Sequence, residues 1–432
     1  MYKNQYIVVS DTDKPRFNNK DIRLVKFGKL HIYAHSNLNV TIAFSHKDPE
    51  VKILLLGYII DPLKPEMKND GIVELIARQY KSTNNCFKMI QGYTGRYVLL
   101  IKEKASFVIT GDACHLRQIY FRFDGDKLTV TSSLKLFLDF YGYKLQSSEE
   151  KIKIVNTPLH RKLQMAWYGH ESIDDRLDKL LPNHYLDVHK KEVKRLPLFT
   201  VYNGKEDDVL IYVSSMLTGT YSALSKRYQL MQPLTAGWDS RILLAASKDV
   251  KDQIKYYVFG NPDNNNDDIR IPMNLSRSLD LNFKIVEWKA LSDNFLEAYK
   301  KEHIIPRILP KTSNINYHYD CKYNENVINV NGNCAEIARC FYGYTRNKIM
   351  LDMLLVFSKY YDKVPFFKER IAEWYANAIP YAKQYNIFLL DLFYWEQRMG
   401  NWGAQYPFEL DIAMEEISPF NNRSLLLALQ SV

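Results

Sequence analysis

The chain has 432 residues, of which 46% are hydrophobic and 25% charged, and these values exclude a disordered, collagen-like or low-complexity protein. Its 58 Lys and Arg residues exceed its 49 Asp and Glu residues by only nine charges and are scattered, so we expect no nucleic-acid partner. The longest apolar runs, Ile53–Ile60 and Leu425–Leu429, are far shorter than the roughly 20 residues that cross a bilayer. The first ten residues lack the apolar core of a signal peptide, so we expect no membrane partner and a cytoplasmic location.

Strands dominate residues 1–195. Short runs of β-branched and aromatic residues between polar breaks predict nine strands: Tyr6–Ser10, Leu24–Phe27, Leu30–Ala34, Asn39–Phe44, Ile53–Tyr58, Gly95–Lys102, Ser106–Thr110, Ile119–Phe123 and Lys127–Ser132. A last hairpin is predicted from Tyr185–Val188 and Glu192–Leu196. The clearest helix is Asp70–Lys81, with Asp70 as its expected cap. This set predicts an α+β fold, in which a β-sandwich is layered with a helix or two.

The pattern changes after Asn203–Gly204, where strands and helices begin to alternate. The first helix is predicted from Asp207 or Asp208 to Ser225. The segments that follow it are the strands Leu230–Leu234, Ile254–Phe259, Phe283–Glu287 and Val327–Val330 and the helices Asp239–Ser247 and Asp267–Leu279. This alternation predicts an α/β, Rossmann-like unit with a parallel sheet and crossover helices, and residues 347–432 add further helices. We therefore predict two domains, residues 1–200 and 201–432.

The segment Leu230–Leu244 has the composition of a phosphate-binding element, because a strand, a tight loop of small residues and a helix start follow one another. Such a loop can place backbone N–H groups on a phosphate at the helix N-terminus. Thr235 and Ser240 add hydroxyl groups, whereas the Asp239 carboxylate would repel phosphate unless a divalent cation lies between them. The alternative is a helix that Thr235 or Asp239 caps, with no ligand at all.

Residues Thr235–Ser240, which read Thr-Ala-Gly-Trp-Asp-Ser, resemble the pyrophosphate-binding loop of the asparagine synthetase family, usually written SGGxDS. Further segments resemble other motifs of that family in the same order: Gly92–Val98, Thr110–Tyr120, Tyr256–Gly260 with Asp267-Asp268, Gly332–Glu336 and Ser418–Arg423. The resemblance covers about residues 50 to 430. It implies a class II glutaminase-like first domain and an ATP-pyrophosphatase second domain.

The resemblance also implies ATP and Mg²⁺ as cofactors. The positions that match the family's ATP-binding residues are Leu234, Thr235, Ala236, Gly237, Asp239, Ser240, Val258, Phe259 and Gly332. Asp239 and Glu336 match its metal-binding carboxylates, with Glu336 in place of the Asp of the family's GEGADE-type loop. The implied reaction is attack of a substrate carboxylate on the α-phosphate, which releases pyrophosphate, followed by displacement of AMP by an amine or ammonia.

Two departures from the family pattern concern the chain ends. The family's glutaminase uses an N-terminal cysteine, whereas Met1-Tyr2 begins this chain and no cysteine precedes Cys86, so we expect no glutaminase activity. The domain then resembles the inactive version in β-lactam synthetases and lasso-peptide cyclases. The family also commonly places a Lys beyond the segment that matches Ser418–Arg423, and none follows here.

Either another cation takes the role of that Lys, or the step is compromised. The candidates are Arg241, Arg339 and Arg398, with Lys348 as a weaker one. Asn333 stands where β-lactam-forming members carry a Tyr that acts in deprotonation, so that mechanism does not transfer.

The expected partners are ATP and a carboxylate substrate, either a peptide or a sugar acid, and a homodimer is compatible with the resemblance. Two alternatives stay open: amidation of a uronic acid with external ammonia, and a non-catalytic nucleotide-binding or regulatory protein.

A metal site at His184 and His189 is disfavoured. Asp112, His115 and Arg117 are better read as a turn network than as catalytic residues. The aromatic cluster near Glu396 and Arg398 is read as helix core, with a substrate-binding wall as the alternative; its members are Tyr394, Trp395, Trp402 and Phe408.

Overall fold

The computed structural model describes residues 1–10, 12–199, 205–261, 266–343, 349–358 and 363–432. Within these ranges it is a mixed α/β structure with two six-stranded antiparallel sheets and one five-stranded parallel sheet. The boundary predicted between residues 200 and 201, with Asn203–Gly204, lies outside the described residues, and so does Lys348. The division into two domains therefore stays a prediction, and the two parts are called here the first half and the second half.

The first half contains both antiparallel sheets. One has the order β10-β8-β9-β1-β3-β2, with β1 (Tyr6–Ser10), β2 (Ile22–Phe27), β3 (Leu30–His35), β8 (Tyr120–Asp124), β9 (Lys127–Thr131) and β10 (Asp178–Lys179). The other has the order β12-β11-β7-β6-β5-β4, with β4 (Val40–Phe44), β5 (Lys52–Ile60), β6 (Thr94–Lys102), β7 (Phe107–Gly111), β11 (His184–Asp187) and β12 (Glu192–Arg195). All nine predicted strands and the last hairpin are confirmed, with bounds that differ by at most two residues.

The two sheets pack face to face and are covered by helices on their outer faces. The helices of this half are α1 (Asn69–Gln79), α2 (Thr83–Ile90), α3 (Leu134–Tyr141), α4 (Glu149–Asn156) and α5 (Pro158–Lys162). Val8 of β1 shares the core between the sheets with Leu54 and Leu56 of β5. Ile7 and Val9, on the other face of β1, pack against α3. Because both faces are covered, β1 is apolar along its length instead of alternating with polar residues.

The start of α1 differs from the prediction. Asp70 does not cap this helix: it lies in the first turn and accepts a hydrogen bond from Thr41 Oγ1 at 3.1 Å. The helix begins at Asn69, whose side chain binds the backbone of β5 through Ile59 N (3.1 Å) and Gly57 O (3.2 Å). A contact with a distant strand therefore determines where the helix begins, and no local capping rule contains that information.

The second half is built on the parallel sheet. Its strands, in the order β15-β14-β13-β16-β17, are β13 (Gln229–Pro233), β14 (Ile254–Phe259), β15 (Phe283–Val286), β16 (Val327–Val330) and β17 (Glu415–Ile417). The α-helices are α6 (Glu206–Ser225), α7 (Trp238–Ala246), α8 (Asp267–Leu279), α9 (Asp293–Glu302), α10 (Thr312–Cys321), α11 (Leu351–Phe357), α12 (Pro365–Tyr385), α13 (Leu389–Phe393), α14 (Gln405–Leu410) and α15 (Arg423–Leu429). Shorter 3₁₀ segments are Lys248–Gln253 and Ala335–Ala338, and Tyr394–Gly403 is a π-helix. Among the described helices, none is long and apolar enough to cross a membrane.

The strand order of the parallel sheet creates a topological switch point. The chain adds β14 and β15 on one side of β13, and then returns to the other side to add β16 and β17. At such a point the two adjoining crossovers diverge, which leaves a crevice at the carboxyl ends of the central strands where ligands bind in open α/β sheets. The loops that follow β13 and β16 flank this crevice.

The two halves are joined by a buried ion-pair network. Arg96 of β6 donates two hydrogen bonds to Asp411, from Nη1 to Oδ1 at 2.7 Å and from Nη2 to Oδ2 at 2.6 Å. Arg117 pairs with Glu415 at the start of β17, and Arg96 Nη1 lies 3.7 Å from the same carboxylate. Both arginine side chains are at most 2% exposed. These charges are therefore satisfied only when the halves are together.

The segment Ser418–Arg423 completes the contact between the halves. Asn421 Nδ2 donates to Gly95 O (2.7 Å) and to Asp112 Oδ1 (2.8 Å), and Asn421 Oδ1 accepts from Cys114 N (2.9 Å). Asp112 also accepts from the backbone N–H groups of Leu116 and Arg117. Asp112 is thus the centre of a turn network, as predicted.

Candidate functional site

The loop that follows β13 leaves the sheet at the switch point. Leu234 N donates to Tyr257 O at 2.8 Å, which ties the start of the loop to β14. The side chains of Leu234 and Val258 are buried. The Phe259 ring packs against the rings of Tyr257 and His318, at centroid distances of 5.5 and 5.7 Å.

Hydroxyl groups hold the loop in a closed turn. Ser240 Oγ lies 3.1 Å from both Thr235 N and Thr235 Oγ1, and Gly237 N donates to Thr235 Oγ1 at 3.1 Å. Ala236 N donates to Asp268 Oδ1, at the start of α8, at 3.2 Å. Sequence reasoning missed the role of Asp268, although the acidic pair Asp267-Asp268 was visible as the start of a helix. The residues predicted to bind phosphate therefore form one compact turn.

The N-terminus of α7 has no side-chain cap. Gly237 is the N-cap residue, and neither Thr235 nor Asp239 caps the helix. The side-chain cap that the alternative interpretation expected from Thr235 or Asp239 is therefore wrong. The backbone N–H groups at Trp238–Ser240 carry the partial positive charge of the helix start and are suited to an anion.

Asp239 in α7 faces Glu336 across the crevice, and Arg339 bridges them. Arg339 Nη1 lies 3.1 Å from Asp239 Oδ1, and Arg339 Nη2 lies 3.6 Å from Glu336 Oε1. The turn after β16 makes this possible, because Cys334 has a left-handed φ of 77° and the 3₁₀ segment Ala335–Ala338 follows directly. This backbone region favours glycine, and the family's GEGADE-type loop has glycine at that position.

Burial raises the pKa of both carboxyl groups. For Glu336, proximity to Asp239 raises the pKa further, while Arg339 and Lys311 lower it. For Asp239, the Arg339 guanidinium opposes the effect of burial. Glu336 Oε2 is buried without a hydrogen-bond partner among the residues that the structure describes. Lys311 precedes α10 and belongs to no motif, so sequence reasoning did not find it.

This donor set fits Mg²⁺. Magnesium is usually held by one or two protein carboxylates together with water and substrate phosphates, instead of an all-protein cage. Asp239 and Glu336 supply two carboxylates, and Glu336 Oε2 has no other partner in the described structure. No group of three or more His, Cys, Asp and Glu side chains with metal-binding geometry occurs among the described residues, at His184 and His189 or elsewhere. A cation here would therefore need oxygen atoms from a bound phosphate.

Gly332 makes room for Asp239. A Cβ atom added at Gly332 would lie 2.7 Å from Asp239 Cβ, closer than two carbon atoms can approach. We expect Gly332→Ala to displace the start of α7 and to weaken Mn²⁺ binding and activity together, because both depend on the position of Asp239. Gly71→Ala in α1, where the nearest atom is the flexible Met67 Cε at 3.4 Å, is the control. Mn²⁺ titration followed by electron paramagnetic resonance measures the effect, and equal binding by Gly332→Ala and wild type would contradict it.

The three predicted arginines have different surroundings. Arg339 lies in the crevice, whereas the Arg241 guanidinium stacks on Trp238 (4.6 Å to the ring centroid) and that of Arg398 on Trp402 (3.9 Å). Within the described ranges neither Arg241 nor Arg398 forms an ion pair with Asp239 or Glu336. The geometry thus brings together Asp239, Glu336 and Arg339.

The aromatic cluster near Glu396 is mostly core. Trp395 is fully buried and donates from its indole N–H to Ala113 O at 2.8 Å. Tyr394 is only 2% exposed. Glu396 itself pairs with Arg195 of β12 at 2.7 Å. The interpretation as packed helix core is therefore confirmed for Tyr394 and Trp395.

No family model matches the sequence, and no curated protein matches it. Among solved structures, the chain is similar to glutamine phosphoribosylpyrophosphate amidotransferase from B. subtilis, in complex with ADP and GMP, with 10% identity and a TM-score of 0.27 over 79% of this chain and 72% of that one. It is also similar to a structure described as the allosteric regulatory enzyme of purine biosynthesis, with 10% identity and a TM-score of 0.28 over 79% of this chain and 71% of that one. Both are enzymes, but such low TM-scores say nothing about the chemistry of this chain, which depends on its own site.

Proposed function

We propose that this protein is an ATP- and Mg²⁺-dependent ligase that forms amides by adenylating a carboxylate. The observation that supports the proposal is the uncapped N-terminus of α7 at the switch point, with Asp239 and Glu336 facing each other beside it. A helix start suits the phosphates of a nucleotide, and the paired carboxylates suit the cation that accompanies them.

In this proposal the turn after β13 binds the β- and γ-phosphates of ATP. Thr235 Oγ1 and Ser240 Oγ lie 3.1 Å apart, so a bound phosphate would accept hydrogen bonds from both hydroxyl groups and from the N–H groups of α7. Adenine would lie against the backbone of Leu234, Val258 and Phe259. Mg²⁺, held by Asp239 and Glu336, would neutralise charge on the phosphates as pyrophosphate leaves.

The proposed reaction has two steps. A substrate carboxylate oxygen attacks the α-phosphorus, the bond from that phosphorus to the bridging oxygen breaks, and pyrophosphate leaves. The nitrogen of an amine or ammonia then attacks the acyl carbon, AMP leaves, and the nitrogen loses a proton. Both steps depend on positioning and charge neutralisation more than on covalent catalysis by the protein.

Arg339 is the proposed cation for the developing negative charge. It is the predicted arginine that already contacts both carboxylates, and its side chain is 43% exposed, so it can turn toward a bound phosphate. The planar Arg339 guanidinium can donate paired hydrogen bonds to phosphate oxygens as well as to carboxylates. When the cation binds, the guanidinium must release Asp239 and Glu336 and becomes available to the substrate.

We expect Arg339→Gln to tighten Mn²⁺ binding several-fold in the absence of ATP and to slow AMP formation. The guanidinium competes with the metal for both carboxylates, and Gln removes that competition along with the charge that assists the reaction. Arg122→Gln, which removes an ion pair with Asp124 far from the crevice, is the matched control. Unchanged or weaker Mn²⁺ binding by Arg339→Gln would show that the bridge does not oppose the metal.

Ammonia or an amine, and not glutamine, is the proposed nitrogen source. Tyr2 is 3% exposed, and its N–H donates to Glu302 Oε1 at 3.2 Å. A tyrosine so placed offers no nucleophile for glutamine hydrolysis. Glutamine is therefore expected not to replace ammonium in the assay.

The test is mass spectrometry of the products from ATP, Mg²⁺, ammonium or an amine, and a library of carboxylated peptides and sugar acids. We expect AMP, pyrophosphate and an amide in equal amounts for one class of carboxylate. Amidated uronic acids would assign the enzyme to polysaccharide modification, and amidated peptides to peptide modification. Formation of ADP and phosphate would contradict adenylation.

A second candidate is a non-catalytic nucleotide-binding or regulatory protein. The observation that favours it is again Arg339, whose guanidinium pairs with both carboxylates that would hold the cation. This candidate predicts ATP binding by calorimetry with no AMP from any acceptor. AMP formation that depends on a carboxylate would exclude it.

A further inference from the structure

A partly open cavity of about 140 Å³ lies between the two halves. It is lined by β8 and β10 from the first half and by α14 and the segment before α10 from the second. An engineered cavity of roughly 150 Å³ holds a benzene molecule. The space is thus sufficient for a ligand of a few heavy atoms.

Lys179 of β10 lines this cavity together with Tyr120. The residue is only 4% exposed, and its Nζ lies 5.5 Å from the centre of the Tyr120 ring. In the part of the chain that the structure describes, no carboxylate oxygen lies within 4.0 Å of this amine. An amine on a largely buried residue, with no carboxylate beside it among the described residues, is costly to keep charged.

A second cation lines the same cavity with an unused donor. Arg307 is 5% exposed and pairs with Glu409 through Nη2 (2.8 Å to Oε2) and Nε, but its Nη1 is buried without a hydrogen-bond partner among the described residues. Its charge, together with burial, lowers the pKa of the Lys179 amine to about 7, with burial the larger cause. The two cations are therefore close enough to repel each other.

Each carboxylate that lines the cavity has a partner other than Lys179 for at least one oxygen. Glu409 binds Arg307, and Glu302 accepts from Tyr2 N (3.2 Å) and Gln5 Nε2 (3.3 Å). Glu171 pairs with Arg370 through Oε1 at 3.0 Å, and its Oε2 is buried without a hydrogen-bond partner among the described residues. Two nitrogen donors, Lys179 Nζ and Arg307 Nη1, therefore line the same cavity, and none of the described carboxylates forms an ion pair with Lys179. The rest of the lining is largely apolar, from Leu134, Met165, Trp167, Ile304, Ile305 and Phe408.

We propose that this cavity binds a small monocarboxylate with a short apolar body, whose carboxylate oxygens accept hydrogen bonds from Lys179 Nζ and Arg307 Nη1. The carboxylate pairs with the charged Lys179 amine and accepts a hydrogen bond from the remaining Arg307 donor, and the apolar body fills the space beside Trp167 and Phe408. Hydrogen bonds between charged groups in a buried site are strong enough to select the ionised ligand over its amide. The site is separate from the crevice at Asp239 and does not depend on the proposed ligase activity.

The test is isothermal titration calorimetry of the full chain with butyrate, without ATP or Mg²⁺, so the result is independent of the proposed activity. We expect butyrate to bind and its neutral isostere butyramide to bind at least about tenfold more weakly. Lys179→Met should weaken butyrate binding by about tenfold or more. Lys127→Met, which alters an exposed lysine paired with Asp13 at 2.9 Å, should leave it unchanged.

Proton uptake gives a second readout that a purely structural role of Lys179 would not produce. At pH 8 a lysine with a pKa of about 7 is mostly neutral, and a bound carboxylate must recharge it. The binding enthalpy of wild type should therefore differ between Tris and HEPES buffers. His160 and His303 also line the cavity, but burial lowers the pKa of both, that of His160 to about 4, so they stay neutral at this pH.

Several results would overturn the proposal. They are absence of butyrate binding, equal binding of butyramide, unchanged binding by Lys179→Met in a folded variant, and an enthalpy that does not depend on the buffer. Inorganic phosphate is the remaining probe, because it is an oxyanion like butyrate but lacks the apolar body. Phosphate binding as tight as that of butyrate would show that the cavity does not select a carboxylate.

Discussion

Replacing Asp239 by Asn should lower the rate of carboxylate-dependent pyrophosphate release by about 10²–10³-fold or more. Asp239 is one of the two carboxylates that face each other in the crevice, and it lies in the first turn of α7, where the phosphates would bind. Asn keeps the shape and one oxygen but removes the charge that would hold Mg²⁺ against those phosphates. The measurement is a coupled pyrophosphate assay at saturating ATP.

The same variant should not lose stability. Burial raises the pKa of Asp239, which means that its charged form is less favourable in the folded protein than in water. A neutral side chain removes that cost, so the thermal midpoint of Asp239→Asn should match or exceed that of wild type. Asp252→Asn, at an exposed carboxylate outside the crevice, is the control for activity. An undiminished rate of pyrophosphate release by Asp239→Asn would contradict the proposed function.

Replacing Arg96 by Met should destabilise the protein by about 3–5 kcal/mol. Arg96 is 2% exposed and makes two hydrogen bonds to Asp411, with Glu415 also within 3.7 Å. Met fills much of the same volume but leaves Asp411 buried without its counter-ion. The free energy of unfolding from urea titration measures the effect.

Removing Asp411, the ion-pair partner of Arg96, as well tests whether the unpaired charge causes the loss of stability. Arg96→Met combined with Asp411→Leu should recover part of the loss, because the double variant leaves no unpaired charge at that position. Lys153→Met, which breaks an ion pair whose two side chains are 78% and 92% exposed, should change stability little. If Arg96→Met unfolded at the same urea concentration as wild type, the network would not hold the halves together.

Strands were predictable in this chain because their side-chain pattern is local. β1, β14 and β16 have the predicted bounds, since each is a run of β-branched and aromatic residues that ends at a polar break. The short strand β17 was not predicted. Its three residues, Glu415–Ile417, include two acids, and they join the sheet because Arg117 neutralises Glu415 and Asn329 donates to Glu416. Those partners lie far away along the chain.

The residues of the candidate site also include some that the sequence could predict and some that it could not. The turn Thr235–Ser240 was predictable because its small residues, hydroxyl groups and carboxylate are contiguous. The choice among Arg241, Arg339 and Arg398 was not predictable, since all three are single arginines without a local pattern. The left-handed backbone of Cys334 and the 3₁₀ turn after it carry Arg339 to Asp239, a residue 100 positions earlier in the chain.

The sequence by itself determined the strands of the first half, the alternation of the second, and a phosphate-type turn between a strand and a helix, because each of these depends on residues within a few positions of one another. Only the tertiary structure decided that α7 has no side-chain cap, that Glu336 and Arg339 meet Asp239, and that Lys179 has no counter-ion among the described residues. Charge pairing and burial depend on which distant segments fold together. The environment of a buried charge is therefore a property of the packed molecule.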